Sequence, residues 1–203
     1  MSDEKKSFDV ELCFRQSINV YRENPLLFII SSLTVTVVGT ITFFILMGLL
    51  QAGFMMIILN YMRDKKKSQF DDLFKYFNRF GTLFLGFFIP LICGLLGSIF
   101  FVVPGLLIFS IWMYVLIFIC DKEMNINNAL KSSYNLVLET NIWKHLLLFI
   151  IILAILFIAV FSLGSFGVVL FILTFPLTTG LIVSAYYQLA EKETQEVKEE
   201  IPK

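Results

Sequence analysis

The sequence predicts an all-α membrane protein: six transmembrane helices paired as three hairpins, each preceded by a cytoplasmic interfacial amphipathic helix. Three observations predict it, namely the composition, the placement of the charges, and the residues near the middle of each uncharged block. Hydrophobic residues make up 58% of the 203 residues and charged residues 16%, against roughly 45–50% and about 25% in soluble domains. The 23 Phe add more apolar surface than a soluble core of this size buries. The formal net charge is zero, which gives no reason to expect nucleic acid as a partner.

Every Lys, Arg, Asp and Glu lies outside three blocks, 24–62, 80–120 and 145–190. Each block runs to roughly forty residues, about twice the ~20 that cross a hydrocarbon core about 30 Å thick. Two helices joined by a short uncharged turn fit each block, and one helix does not. Glycine and proline punctuate the chain near each midpoint. The expected turns are Gly39-Thr40 (with Gly48 as the competing position), Val102-Val103-Pro104-Gly105, and the run 162–167, which holds Gly164 and Gly167.

Orientation follows from the basic residues. All of them fall in the N-terminal segment, the two inter-block segments, the start of the third block or the tail. If each block is a hairpin, these lie on one side, which the positive-inside rule makes the cytoplasm. Arg63-Asp64-Lys65-Lys66-Lys67 is the strongest marker. Both termini are then expected in the cytoplasm of a cell-membrane protein. No cleavable signal peptide is expected, because Lys5 and Lys6 precede a block far too long for an h-region. Cys13, Cys93 and Cys120 are widely spaced and read as packing residues, not as a disulfide framework or zinc site.

The segments before the blocks are amphipathic. Val10, Phe14, Ile18 and Tyr21 form one stripe, with Glu11, Arg15, Asn19 and Arg22 turned away. Phe70, Leu73, Phe74, Phe77 and Phe80 form a second, and Ile126, Leu130, Tyr134 and Val137 a third. Such spacing marks a helix with one apolar face, and beside a membrane span it reads as an interfacial helix. The expected organisation is therefore one membrane domain, 1–190. It comprises interfacial helix 8–23 and hairpin 24–62, then helix 69–80 and hairpin 81–120, then helix 125–141 and hairpin 145–190. A charged cytoplasmic tail, 191–203, is expected to fray. Phe14-Arg15-Gln16-Ser17-Ile18-Asn19 and Glu23 parallel Leu130-Lys131-Ser132-Ser133-Tyr134-Asn135 and Glu139 at a constant offset of 116. That parallel admits either a degenerate repeat or independent amphipathic helices.

Few residues carry chemistry. Trp143, Lys144 and His145 begin a predicted span and read as interfacial anchors, as do Phe74 and Phe77. A general-base role for His145 would require a second histidine or a carboxylate on the same helix. Asp71-Asp72 and Asp121-Lys122-Glu123 read as charge pairing and a helix exit, since adjacent helical residues diverge by about 100°. Gln51 is the most expensive polar residue to bury in its block. It forms either one interhelical hydrogen bond or part of a polar path. Pro90 and Pro176 fall inside predicted helices, where a proline frees a carbonyl and bends the axis. Gln51, Pro90 and Pro176 are thus the candidate cavity or packing residues. Gly94 with Ser98, and Gly180 with Ser184, are small-residue pairs suited to close helix approach. No catalytic, metal-binding or cofactor-binding set is expected.

Val103-Pro104-Gly105-Leu106-Leu107, then Cys120-Asp121, then Asn128-Ala129-Leu130-Lys131-Ser132-Ser133 carry a resemblance, with Gln69-Phe70-Asp71-Asp72-Leu73-Phe74 as a second motif. In these segments the chain resembles the membrane domain attached to some glycerophosphoryl diester phosphodiesterases, and a wide group of stand-alone, uncharacterised prokaryotic membrane proteins. The resemblance implies a six-helix domain and a loose association with lipid metabolism or membrane stress. Those enzymes carry their catalytic carboxylates and histidines on a separate soluble barrel that this chain has no room for, so no phosphodiesterase residue carries over. The function expected is a non-enzymatic membrane module that binds membrane lipids or a partner membrane protein, including a second copy of itself. The alternative is a small-molecule, lipid or peptide transporter.

Overall fold

The computed structural model describes residues 7–64, 68–161 and 167–200. Among the described residues every regular element is helical: α1 (Val10–Glu23), α2 (Pro25–Ile41), α3 (Met47–Asp64), α4 (Phe80–Phe100), α5 (Val102–Ile111), α6 (Val115–Asp121), α7 (Ile126–Glu139), α8 (Ile142–Phe161) and α9 (Gly167–Glu200). Four stretches are long and apolar enough to cross a membrane: Phe70–Ile99, Val102–Asp121, Ile142–Phe161 and Gly167–Ala190. A fifth is added if α1 and α2, bent by 100° at their junction, count as one. The chain therefore has the helices of a multi-pass membrane protein. α3 misses on composition because Gln51, Asn60, Arg63 and Asp64 dilute its apolar run. α2 alone, at 17 residues, falls just short in length.

Local chemistry sets the helix starts. Asp9 caps α1 by accepting from the amides of Glu11 and Leu12, and Asn125 caps α7 by accepting from Asn128 N. Asn24 caps α2 with Pro25 behind it, where a missing N–H costs nothing. The segment expected as an amphipathic helix over 69–80 is instead two 3-10 turns, Phe70–Phe74 and Phe77–Arg79. Gln69 and Asp72 close a capping box at its start.

Two turns depart from expectation for one reason. The first lies at 42–46, beyond Gly39-Thr40, with Phe43 and Phe44 in the left-handed region at φ 50 and 64. Phe44 N closes the helix end on Gly39 O at 2.7 Å. Gly39 faces Met47, whose Sδ lies 2.6 Å from where a Cβ would sit, and Gly48 lies equally close to Leu83 O. Both glycines serve helix packing and not reversal. The second turn contracts to Phe101, extended at φ −156 and ψ 140, and Gly105 packs onto Ser98 instead of turning the chain. The third expected turn lies at 162–167, of which 162–166 fall outside the described residues. The tail is helical to Glu200. Extending an existing helix with Glu- and Lys-rich sequence avoids the nucleation cost.

The packing follows a cycle. α2 lies on α3, α4 on α5, and α8 on α9. In addition α2 packs on α9, α4 on α3, and α8 on α5. The amphipathic elements repeat that order: α1 packs on α9, the first 3-10 turn on α3, and α7 on α6 and α5. The inner positions belong to α3, α6 and α9, where Leu49, Leu50, Phe54, Ile57, Leu59, Val115, Ile119, Leu181 and Val183 are buried. The outer helices leave Ile30, Leu33, Ile92, Leu96, Leu153 and Phe157 exposed.

Candidate functional site

The polar side chains of the bundle gather in three places, two on the inner helices and one around His145 of α8. The first is a seam between α1 and α9. Asp9 N donates to Gln188 Oε1 at 2.8 Å, and Gln188 Nε2 reaches Asp9 O and Cys13 Sγ, each at 3.3 Å. One turn on, Ser184 Oγ donates to Gln16 Oε1. A further turn on, Ser17 lies 3.0 Å from the Cβ position of Gly180. Numbers rise along α1 as they fall along α9, so the helices run antiparallel. Gly180 and Ser184 do permit close approach, and the element received is the amphipathic helix α1. On α1 Cys13 and Ser17 are fully buried, while Val10, Phe14 and Tyr21 of the apolar stripe pack half-buried on the core and Ile18 is exposed. On α7 Val137 of the stripe is buried with Ala129 and Ser133, Ile126 and Leu130 pack half-buried on the core, and Tyr134 is exposed. Burial pushes the Cys13 thiol up to about 11.

The second place surrounds His145. Its ring is wholly buried, whereas an anchor at headgroup level would be exposed. Tyr114 Oη sits 2.9 Å from Nδ1 and Thr140 Oγ1 2.7 Å from Nε2. Thr140 spends its hydroxyl proton on Leu136 O at 2.6 Å. Nε2 is therefore the donor to Thr140, Nδ1 accepts from Tyr114, and the ring is neutral. Phe8 closes this site from the N-terminal side, its ring 4.8 Å from the imidazole. Lys144 Nζ holds Ser7 Oγ at 3.2 Å and Phe8 O at 3.3 Å. Of the expected anchor trio, Trp143 alone stands clear of the protein, at 72% exposure. Phe74 is half-buried and Phe77 exposed, with their rings 6.0 Å apart.

The third place joins one residue from each inner helix. Arg63 of α3 grips both carboxylate oxygens of Asp121 at the end of α6, and Tyr186 of α9 donates to Asp121 Oδ2 at 2.7 Å. A carboxylate at a helix C-terminus opposes the helix dipole, so Asp121 depends on these donors. Arg79 Nη1 caps the same end through Ile119 O at 3.1 Å. The Asp-Lys-Glu run is thus more than an exit. Its signal in the sequence was the acidic residue where a basic one is favoured.

Gln51, Pro90 and Pro176 do not share a site. Gln51 Nε2 donates to Thr179 Oγ1 at 3.4 Å, while its Oε1 and Ser31 Oγ are enclosed without partners. Pro176 is buried in α9, and the carbonyl it frees, Ile172 O, accepts from Ser32 Oγ at 2.8 Å. Pro90 lines a separate cleft with Phe109, Trp112 and Phe149. Among the described residues no group of three or more His, Cys, Asp or Glu converges as a metal site would require, and the three cysteines are free thiols. Comparison of the chain with protein-family models, with curated proteins and with solved structures finds no match.

Proposed function

We propose that this chain is a six-span membrane protein of three hairpins that acts without catalysis, presenting its outer helices to lipid or to a partner membrane protein. α2, at about 25 Å, and α3, at about 27 Å, are nearly long enough to cross, and the turns extend them. The cyclic packing supports a threefold unit of amphipathic element, outer span and inner span. Elements α1 and α7 are each 14 residues long and begin and end 116 residues apart, which extends the offset read from the sequence. The basic inter-block segments place both termini in the cytoplasm.

One observation carries the functional reading. The outer helices expose large apolar residues such as Ile99, Phe157 and Ile158, while polar groups of the inner helices bond to one another and to α1. Recognition is then lateral, through apolar surface within the bilayer. The resemblance to the membrane domains of glycerophosphoryl diester phosphodiesterases is consistent with a lipid-associated role.

The test pairs topology with co-purification. Single cysteines replacing Phe43 or Pro104 in a Cys-free background should label from outside intact cells, and one replacing Asn127 only after permeabilisation. Outside labelling of the Asn127 position overturns the orientation. Mild extraction should retain a defined set of lipids or a membrane partner, and Phe157→Ser with Ile158→Ser should deplete it. Recovery of lipid in bulk proportions with no partner, unchanged by those substitutions, refutes the lateral reading.

A further inference from the structure

Pro176, Pro90 and the break between α5 and α6 each release a backbone carbonyl, and two of the three are answered by hydroxyls. Pro176 frees Ile172 O, which takes Ser32 Oγ at 2.8 Å. The break between α5 and α6 leaves Ile111 O, which takes Ser133 Oγ at 2.6 Å. Pro90 frees Gly86 O, because proline has no N–H to give the carbonyl four residues back. Among the described residues no side chain donates to Gly86 O.

Gly86 and Pro90 line a cleft of about 170 Å³. Its other walls are Phe87, Phe109, Trp112 and Phe149, with Met113 at the α5–α6 break. Irregular backbone at membrane depth is tolerated where it is buried in protein or lines a cavity, and interrupted helices line the ligand sites of many transporters. At about 30 Å³ per water, the cleft has room for a single small ring. Leu91, Leu116 and Ile182 complete the lining, and the three benzene rings and the indole among these residues favour an aromatic guest over an aliphatic one.

We propose that this cleft binds a small aromatic molecule bearing one hydrogen-bond donor, with the ring between Phe109, Trp112 and Phe149 and the donor on Gly86 O. The site is independent of which partner the outer surface takes. Its hydroxyl-free carbonyl is the specificity element, since the aromatic walls alone hold any ring of the right size.

The chain has two tryptophans, and Trp143 is exposed, so Trp143→Phe leaves Trp112 as a reporter inside the cleft. The probes are 4-bromophenol, which quenches indole on contact and carries an O–H, and 4-bromoanisole, which lacks the donor. In detergent-solubilised Trp143→Phe protein, 4-bromophenol should quench saturably and bind about tenfold more tightly than 4-bromoanisole, the worth of one net hydrogen bond. Pro90→Ala restores an N–H to Gly86 O and should bring the two probes to equal affinity with the helix intact. Phe149→Leu should weaken both alike and keep their ratio. Quenching that rises linearly with either probe, without saturation, overturns the proposal. So does equal affinity of the two probes in the Trp143→Phe protein, or a preference for the phenol that survives Pro90→Ala.

Discussion

The close seating of the first 3-10 turn on α3 sets up a sharp comparison among glycines. A Cβ at Gly53 would lie 2.2 Å from Leu73 O and 2.8 Å from Leu73 C. These are backbone atoms, so relief requires the whole turn, with Leu73 fully buried, to move off α3. At Gly81 nothing lies within 4 Å, and at Gly180 the nearest atoms are the Cβ and Oγ of Ser17 at 3.0 Å. Alanine gains up to about 1 kcal/mol over glycine in a helix interior, while overpacking a filled contact costs about 1–3 kcal/mol. Gly81→Ala should therefore be neutral or stabilising by about 0.5 kcal/mol, and Gly53→Ala destabilising by about 1–2 kcal/mol. Gly180→Ala should fall between them. At about 2–4 °C per kcal/mol for a chain of this size, Gly53→Ala and Gly81→Ala should differ by roughly 3–10 °C in Tm. Thermal melts in mild detergent, followed by helical circular dichroism, read that difference. If Gly53→Ala melts at or above Gly81→Ala, the turn does not seat on α3 and the packing cycle fails at that joint.

Three further outcomes follow from the polar sites. Asp121→Asn removes the carboxylate charge and one of the two oxygens that accept from Arg63 and Tyr186, and should cost about 1.5–3 kcal/mol. Glu123→Gln, at a side chain 81% exposed, should stay within about 0.5 kcal/mol; chemical denaturation in mixed micelles compares the two. His145→Leu strands the buried hydroxyl of Tyr114 and takes from Thr140 Oγ1 its donor, and should cost more than Tyr114→Phe. The double variant should be less damaged than the two losses summed, as a double-mutant cycle reads. In ¹⁵N-labelled protein the His145 ring should show a protonated Nε2 and a bare Nδ1 across pH 6–8, and a protonated Nδ1 at pH 7 refutes the assigned hydrogen bonds.

The sequence made the membrane class and the helical content legible because both are sums over many residues. The charge-free blocks also bracket α2 with α3, α4 with α5 and α6, and α8 with the apolar part of α9. Single positions were less readable. Gly39, Gly48 and Gly105 looked like turns, yet the space each leaves is filled by a neighbouring helix, which periodicity cannot reveal. The apolar stripes on α1 and α7 pack on the core except at Ile18 and Tyr134, but small and polar residues beside them are buried more deeply. A stripe read from apolar residues assumes that polar atoms avoid the interior, whereas Cys13, Ser17 and Ser133 are the residues turned inward. His145 was obscured for the same reason: its partners Tyr114 and Thr140 stand 31 and 5 residues away, and only the fold brings the distant one near.

The inward small and polar residues explain why α3 is less apolar than α2, α4 and α8 although most of its residues are buried. In a bilayer the outer helices meet hydrocarbon and must be apolar on that side, which is what the exposed Leu, Ile and Phe of α4 and α8 provide. An inner helix meets other helices, where burial alone does not distinguish protein from lipid and association rests on packing and hydrogen bonds. α3 accordingly carries Gly48 and Gly53 for close approach, Gln51 for a bond to Thr179, and Arg63 for Asp121. α9 repeats the device with Gly180, Ser184, Tyr186 and Gln188. In the first and third blocks the less apolar helix is thus the inner one. On that reasoning, leucine at Gln51 should raise the apolar content of α3 yet weaken the bundle. The change removes a link between α3 and α9.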